Sequence, residues 1–352
     1  MSDGDGRRPE TTEPLISLAD LLAQKVVGQP LALTRIVPYV QMYQAHLNPP
    51  DRPAGVFLLL GPTGTGKTRT VEALAEVMHG SPRHMLKIDC AEYQSDHEVA
   101  KLIGAPPGYV GHRETKPILT QERLLASVSP RSDLAFVLFD EIEKAAPAFT
   151  ALLLGVLDRG TLRLGDNTTV NFEKTLVFLT SNLGAREMLR VIKPDIGFQG
   201  VERRSPDSIA ERLTAAGVAA VRRRFSPEFV NRIDVVLTYR PLEAASLASI
   251  LDQQIAELQQ HVHTRLDERS FDVTVSARAR QVLLARGTSE EFGARELRRT
   301  VHRLLTQPLA ALVADGAVSP GSVIHVDAAP TATRSFCGRT RLACWRRANR
   351  PA

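Results

Sequence analysis

The eight residues Gly61-Pro62-Thr63-Gly64-Thr65-Gly66-Lys67-Thr68 constrain this chain more than any other segment. They fit the pattern GxxxxGK[ST], in which glycines let successive backbone N–H groups turn inward around phosphate oxygens. The segment follows the apolar run 56–60 (VFLLL) and precedes the helix-length stretch 67–79, the strand–loop–helix context that such a loop needs. A chain built around it places a buried strand directly before a helix N-terminus, where aligned backbone dipoles already favour an anion. Lys67 then supplies a point charge to the β and γ phosphates, and Thr68 a hydroxyl for Mg²⁺. Taken alone, the eight residues would also suit a glycine-rich turn without a ligand.

The flanking pattern sets the fold class. Short apolar runs at 56–60, 85–89 (MLKID), 134–139 (LAFVLF) and 176–180 (LVFLT) read as strands buried on both faces. Helix-length segments such as 67–79 and 147–157 separate them, which predicts an α/β class with a parallel sheet sandwiched by helices. Upstream, a helix begins near Ser17, and Pro30 after Gly28-Gln29 suits the first turn of a helix over 30–46. After about residue 240 the character changes. Stretches 243–265, 277–286 and 294–314 are helical, with short strands at 271–275 and 323–327. The expected organisation is a disordered N-terminus (1–14), a large α/β domain (15–240), a smaller, mostly helical domain with short strands (241–330), and a basic tail (331–352).

Composition excludes several classes. No run of about 18 apolar residues predicts a membrane span, and the polar start is not a secretory leader. Three cysteines (Cys90, Cys337, Cys344) make no disulfide framework, which suits a reducing cytoplasm. The net charge of +5 comes from the tail, where six arginines meet no acid; residues 1–330 hold 38 bases against 39 acids. The folded body therefore offers no charge argument for nucleic-acid binding. The tail shows neither helical nor strand periodicity, and a disordered basic arm or an accidental extension of the reading frame would both look this way.

Further residues agree with the phosphate loop. The run 134–139 leads into Asp140-Glu141, so two carboxylates fall at the C-terminal edge of a strand. One can hold Mg²⁺ through water while the other polarises an attacking water, which favours hydrolysis over mere binding. Asn182 ends another buried strand, beside which it could orient that water. Arg232 and Arg295 are candidates for neutralising transition-state charge.

At this point the chain resembles the AAA+ ATPases of the Clp class, and is most similar to the second ATPase module of the ClpA, ClpB and ClpC unfoldases. The matching segments are VVGQ (26–29), GPTGTGKT (61–68), LIGAPPGYVG (102–111), FDEIEKA (139–145), TSNLG (180–184), FSPEFVNRID (225–234) and FGARELRR (292–299), in the family's order over residues 15–327. The resemblance implies ATP and Mg²⁺ as ligands, with Val26 and Val27 bordering the adenine, residues 61–68 around the phosphates and Thr68 and Asp140 at the metal. It further implies Glu141 as the base, Asn182 as sensor 1 and Arg295 as sensor 2. Arg232 corresponds to the arginine finger acting on a neighbouring subunit, with Arg224 the second choice, so the implied assembly is a homo-hexamer.

The resemblance also puts Tyr109 and Val110 on a loop facing the ring's pore, where an aromatic grips unfolded or aggregated polypeptide without reading its sequence. Ile196, Gly197 and Phe198 fall where related unfoldases dock a ClpP-type protease. The implied function is an ATP-dependent unfoldase or disaggregase that threads polypeptide. The alternatives are the ATPase subunit of a Clp-type protease and an ATP-controlled scaffold that does not translocate. Two departures stand out. No counterpart of the family's first module, N-terminal domain or inserted coiled coil lies in these 352 residues, and 112–117 (HRETKP) replaces the usual acidic, glycine-containing segment.

Overall fold

The computed structural model describes residues 17–104, 117–192, 206–289, 293–328 and 345–348. The large domain opens with α1 (Leu18–Lys25) and α2 (Pro30–Gln44), followed by β1 (Gly55–Leu60), α3 (Lys67–His79), β2 (Leu86–Asp89), α4 (Asp96–Ile103) and α5 (Gln121–Ala126). It continues through β3 (Ala135–Asp140), α6 (Pro147–Arg159), β4 (Thr161–Arg163), β5 (Thr169–Asn171), β6 (Thr175–Ser181), α7 (Ala185–Ile192), α8 (Pro206–Arg224), α9 (Pro227–Asn231) and β7 (Val235–Thr238). Local chemistry sets several helix ends. Ser17 and Asp20 form a capping box at α1, and Pro30 and Pro147 occupy first-turn positions where no N–H is needed.

The sheet runs β2-β3-β6-β1-β7, all parallel. Every residue of β1 and β6 is buried, as is all of β3 except Asp140, which explains why these strands read as continuous apolar runs. Alternate side chains feed two separate cores. Phe57, Leu59, Phe136 and Phe178 pack with α1, α2 and α3, whereas Val56, Leu58, Leu60, Val137 and Phe139 pack with Phe149 and Leu153 of α6 and Phe229 of α9. The register aligns Leu60 with Ser181 and Asp89 with Asp140, so the carboxyl ends of the strands lie along one edge. Because β1 pairs with β6 rather than β2, the chain crosses over beside the phosphate loop and opens a crevice at that edge.

The small domain comprises α10 (Ala244–Leu266), β8 (Asp272–Val275), α11 (Ala277–Gly287), α12 (Gly293–Val301), α13 (Gln307–Ala314) and β9 (Val323–Val326). It has its own core, including Leu251, Ile255, Leu283, Leu297 and Leu305. A π-helical turn, His302–Thr306, joins α12 to α13, so the helix expected over 294–314 is continuous. The turn precedes Pro308, which has no N–H to give the Leu304 carbonyl and whose ring would crowd it.

Four strands depart from the sequence expectation. The strand β7 was not expected: it has four residues of which only Leu237 is fully buried, too few for a periodic signal. The antiparallel pair β4–β5 was also missed, with three residues in each strand. In the basic tail, where neither helix nor strand was expected, β10 (Trp345–Ala348) pairs antiparallel with β9, Trp345 opposite Val326 and Ala348 opposite Val323. Among the described residues no helix is long and apolar enough to cross a membrane.

His79, in the last turn of α3, is buried between Ser129 and Leu134. Its Nε2–H donates to the Leu134 carbonyl at 3.0 Å, leaving Nδ1 to accept from the Ser129 hydroxyl at 3.0 Å, an arrangement that needs the neutral ring. Burial holds its pKa below the ordinary 6.5. On acidification the unfolded chain therefore takes up this proton first, and the contribution present above the unfolded pKa is lost as pH falls. The thermal unfolding midpoint should drop between about pH 7.5 and about pH 5.5, and a His79→Gln variant should show a smaller drop. Equal drops in the two proteins would remove His79 from this role.

Candidate functional site

A cleft of about 450 Å³ opens at the carboxyl edge of the sheet, between the large and small domains. Its walls bring together Val26, Val27, Thr63, Gly64, Thr65, Gly66, Lys67, Thr68, Asp140, Glu141, Asn182 and Arg295, all expected from the sequence. Gly61 and Pro62 contribute carbonyl groups beneath the loop. The volume suits a small organic ligand, with a polar end at the loop and an apolar end at Val26, Val27, Leu242 and Ile250.

The loop is shaped around Lys67. Gly66 caps α3 with φ at 103°, a left-handed value that side-chain-bearing residues rarely adopt, and so turns the chain into the helix. The Thr65 hydroxyl donates to the Pro62 carbonyl at 2.9 Å. Lys67 is buried, and its Nζ donates to the carbonyls of Gly61 (2.7 Å) and Pro62 (2.9 Å) and to Oδ1 of Asn182 (2.9 Å). Desolvation lowers its pKa to about 8 despite the nearby carboxylates of Glu143, Asp140 and Glu141, which pull it upward.

The acidic side is equally connected. Oδ1 of Asp140 accepts from the hydroxyls of Thr68 (3.4 Å) and Thr180 (2.5 Å), and Oδ2 pairs with Lys87 Nζ at 2.9 Å. A hydroxyl beside a carboxylate is a hard-oxygen donor set of the kind Mg²⁺ takes, with water completing its shell. Glu141 sits at φ 57° as the chain leaves β3, its N–H donating to the Thr180 hydroxyl at 3.0 Å. Its carboxylate meets Lys144 Nζ at 2.5 Å and accepts from Nδ2 of Asn182 at 3.4 Å. A continuous polar line therefore runs Lys67–Asn182–Glu141 across the carboxyl ends of β1, β6 and β3.

Three residues of the site were not singled out from the sequence. Lys87, on β2, neutralises Asp140. Glu143 accepts the Asn182 N–H at 3.1 Å while its other carboxylate oxygen is buried without a partner. Gln29 donates to the Thr65 carbonyl at 3.1 Å. Each is a single polar residue whose partners are remote in sequence, so no local spacing announces it.

The arginines separate. Arg295 lines the cleft from α12, and the adjacent Ala294 N–H donates to the Gly64 carbonyl at 3.1 Å, so the small domain touches the phosphate loop itself. Arg232 is not among the cleft's lining residues; its side chain is 40% exposed and pairs with Asp158 of α6 at 2.9 Å. Arg224 donates to the carbonyls of Glu143 and Ala145. Tyr109, Val110, Ile196, Gly197 and Phe198 lie outside the described residues.

A P-loop joined to paired carboxylates and a strand-end asparagine, all at one sheet edge, defines a P-loop nucleotide-binding class of domain. The AAA domain (Cdc48 subfamily) family model matches residues 52–236, and the chain belongs to that family. Residues 242–326 match the C-terminal, D2-small domain of ClpB protein.

The chain is 38% identical over 319 residues to the chaperone protein ClpB of Meiothermus ruber, covering 90% of this chain and 34% of that one. It is 40% identical over 317 residues to ClpB of Corynebacterium diphtheriae, covering 90% and 33%. Against the ATP-dependent Clp protease ATP-binding subunit ClpC of Staphylococcus aureus it is 35% identical over 316 residues, covering 90% and 37%. The extended conformation of the S. cerevisiae Hsp104:casein complex superposes with a TM-score of 0.73 at 26% identity, over 88% of this chain and 49% of that chain. The chain thus spans about a third of the length of the curated relatives it matches, and it resembles the second ATPase module of ClpB and Hsp104.

The depressed pKa of Lys67 gives the site a pH signature. Below about 8 the unliganded ammonium is already charged; above it, an anion can bind only with uptake of a proton. The affinity for ATP should therefore fall as pH rises past about 8, approaching about tenfold per pH unit. Titration with a fluorescent ATP analogue between about pH 7 and about pH 9.5 checks this, and a flat profile would contradict a buried Lys67 beneath the anion.

Proposed function

We propose that this chain hydrolyses ATP with Mg²⁺ as one subunit of a homo-hexameric ring, and that the ring threads unfolded or aggregated polypeptide through its centre. The observation that carries the hydrolytic part is the line Lys67–Asn182–Glu141 with Thr68 and Asp140 beside it. In this reading the triphosphate lies along the loop, and Lys67 leaves the Gly61 and Pro62 carbonyls for the β and γ phosphate oxygens. Thr68 and Asp140 would hold Mg²⁺, which would supply neutralisation of the triphosphate charge. Glu141 accepts a proton from water as that water attacks the γ phosphorus and the bond to the β-phosphate oxygen breaks. Asn182 lies within reach of both Lys67 and Glu141 and orients the attacking water. The ion pair with Lys144 holds Glu141 until the substrate draws it away.

The ring rests on Arg232. It lies outside the cleft of its own subunit, which supports a role on the γ-phosphate of a neighbour. The similarity to the Hsp104:casein complex supports a polypeptide as the substrate, and Tyr109 and Val110 are proposed as the residues that grip it.

Glu141→Gln should bind ATP with near-normal affinity and hydrolyse it at least about a hundredfold more slowly. Arg232→Ala should be comparably slow. Mixing the two variants should restore part of the activity, because some interfaces then pair an intact Glu141 with an intact Arg232. A mixture no faster than its components would rule out catalysis in trans.

The threading half is tested by hydrolysis rate against protein concentration, with and without unfolded casein. The rate per subunit should rise cooperatively with concentration and rise again with casein, and Tyr109→Ala should keep the ATPase while losing unfolding of a tagged reporter. Turnover indifferent to casein would instead favour an ATP-controlled scaffold.

A further inference from the structure

Gln29 occupies the N-cap position of α2, yet its side chain does not cap the helix. Glutamine is outside the group favoured there, whose shorter side chains reach the free N–H groups. Its carboxamide is instead only 5% exposed as a residue and bridges two backbone segments. Nε2 donates to the Thr65 carbonyl at 3.1 Å and to the Arg240 carbonyl at 2.8 Å, and Oε1 accepts the Arg240 N–H at 3.3 Å. Both donors are used, and both main-chain groups of Arg240 are held by one side chain.

Each end of the bridge has a particular place in the fold. Residues 239–243 join β7 to α10 and so connect the two domains. Tyr239 belongs firmly to the large domain: its N–H donates to the Leu60 carbonyl at 2.7 Å, and its hydroxyl to Thr70 at 2.8 Å. Arg240 is the first residue beyond that anchor. Behind Gln29, Gly28 has φ at +78°, and a Cβ there would lie 2.8 Å from Ser246 Oγ and 3.0 Å from Leu242 Cδ2. The Gly28-Gln29 pair is therefore wedged between the connection and the phosphate loop.

At the other end, the Thr65 carbonyl and the Gly66 N–H belong to one planar peptide unit. The orientation of the carbonyl that Gln29 holds therefore fixes the direction of an N–H that a phosphate would draw inward. Any rotation of that peptide on anion binding pulls on the same carboxamide that holds Arg240.

We propose that Gln29 is the positioning residue that couples occupancy of the phosphate loop to the inter-domain hinge at Arg240, and through it to the orientation of the small domain. This rests on the reading of the cleft as a nucleotide site. The contact between Ala294 and Gly64 is a separate route from the small domain to the loop and does not pass through the hinge.

The test is hydrogen exchange of the full chain with and without saturating ADP, which binds without turnover. In the unmodified protein ADP should slow exchange both in peptides covering 61–68 and at the Arg240 amide, which lies outside the cleft lining. Gln29→Met keeps the length of the side chain and removes its hydrogen bonds. It should bind ADP about tenfold more weakly and, at saturation, protect 61–68 while leaving exchange of the Arg240 amide unchanged. Gln29→Glu, which keeps an acceptor for the Arg240 N–H but turns oxygen toward two carbonyls, should uncouple the hinge in the same way and serves if the methionine variant does not fold.

Hinge protection by ADP equal to that of the unmodified protein in either variant would overturn the coupling role, as would an unmodified hinge that does not respond to ADP. Failure of the unmodified chain to bind ADP at all would instead remove the nucleotide reading on which the coupling rests.

Discussion

The ammonium of Lys67 lies almost wholly out of water, and a charge so placed persists only where oxygen atoms converge on it from several directions. Two of those oxygens are loop carbonyls at Gly61 and Pro62, which requires the backbone to curl back over the residue that follows. The third is Oδ1 of Asn182, from the end of β6. Both sources reach one point only if β1 and β6 are neighbours ending at the same level, as the pairing of Leu60 with Ser181 provides. The next strand, β3, then brings Asp140 and Glu141 into the same field, and Glu143 supplies the largest upward pull on the lysine. The order of the sheet and the chemistry of the loop are one requirement met twice.

Much of this was legible in the sequence, for identifiable reasons. Strands β1, β3 and β6 are buried on both faces, and no polar residue interrupts them before their functional ends, so apolar runs of five or six residues marked them correctly. The phosphate loop announced itself because its chemistry depends on local spacing. Strand β7 did not, since it is short, sits at the sheet edge and gains its position from Asp234, whose carboxylate accepts the Val56 N–H at 2.8 Å and pairs with Arg52. Gln29 carries no signal of its own within the segment VVGQ. Its partners lie 36 and 211 residues away and are main-chain groups, so nothing near it in the sequence hints at the bridge.

The small domain extends the same logic. Its core is separate from the large domain's two, and short polar contacts help to join the two bodies. One of those contacts falls on the loop, where Ala294 of α12 reaches the Gly64 carbonyl, and another on the end of α1, where Gln253 of α10 donates to the Gln24 carbonyl. Contacts of this kind cost little to exchange compared with repacking a core, which suits a joint that moves while each body stays rigid.

The two candidate fingers differ in what they would give up. Arg224 donates to the carbonyls of Glu143 and Ala145 and stacks over Phe225 at 5.8 Å, so its guanidinium already braces the turn that carries Glu141. Withdrawing it would leave those carbonyls short of a partner and loosen the turn that follows Glu141. Arg232 makes one ion pair, with Asp158, in which both side chains are more than a third exposed. Such a pair contributes little, so exchanging it for a phosphate costs little. The ion pair keeps the guanidinium at the surface, outside its own cleft. That difference in cost favours Arg232 over Arg224 for the proposed role in trans, and leaves Arg224 as a brace within its own subunit.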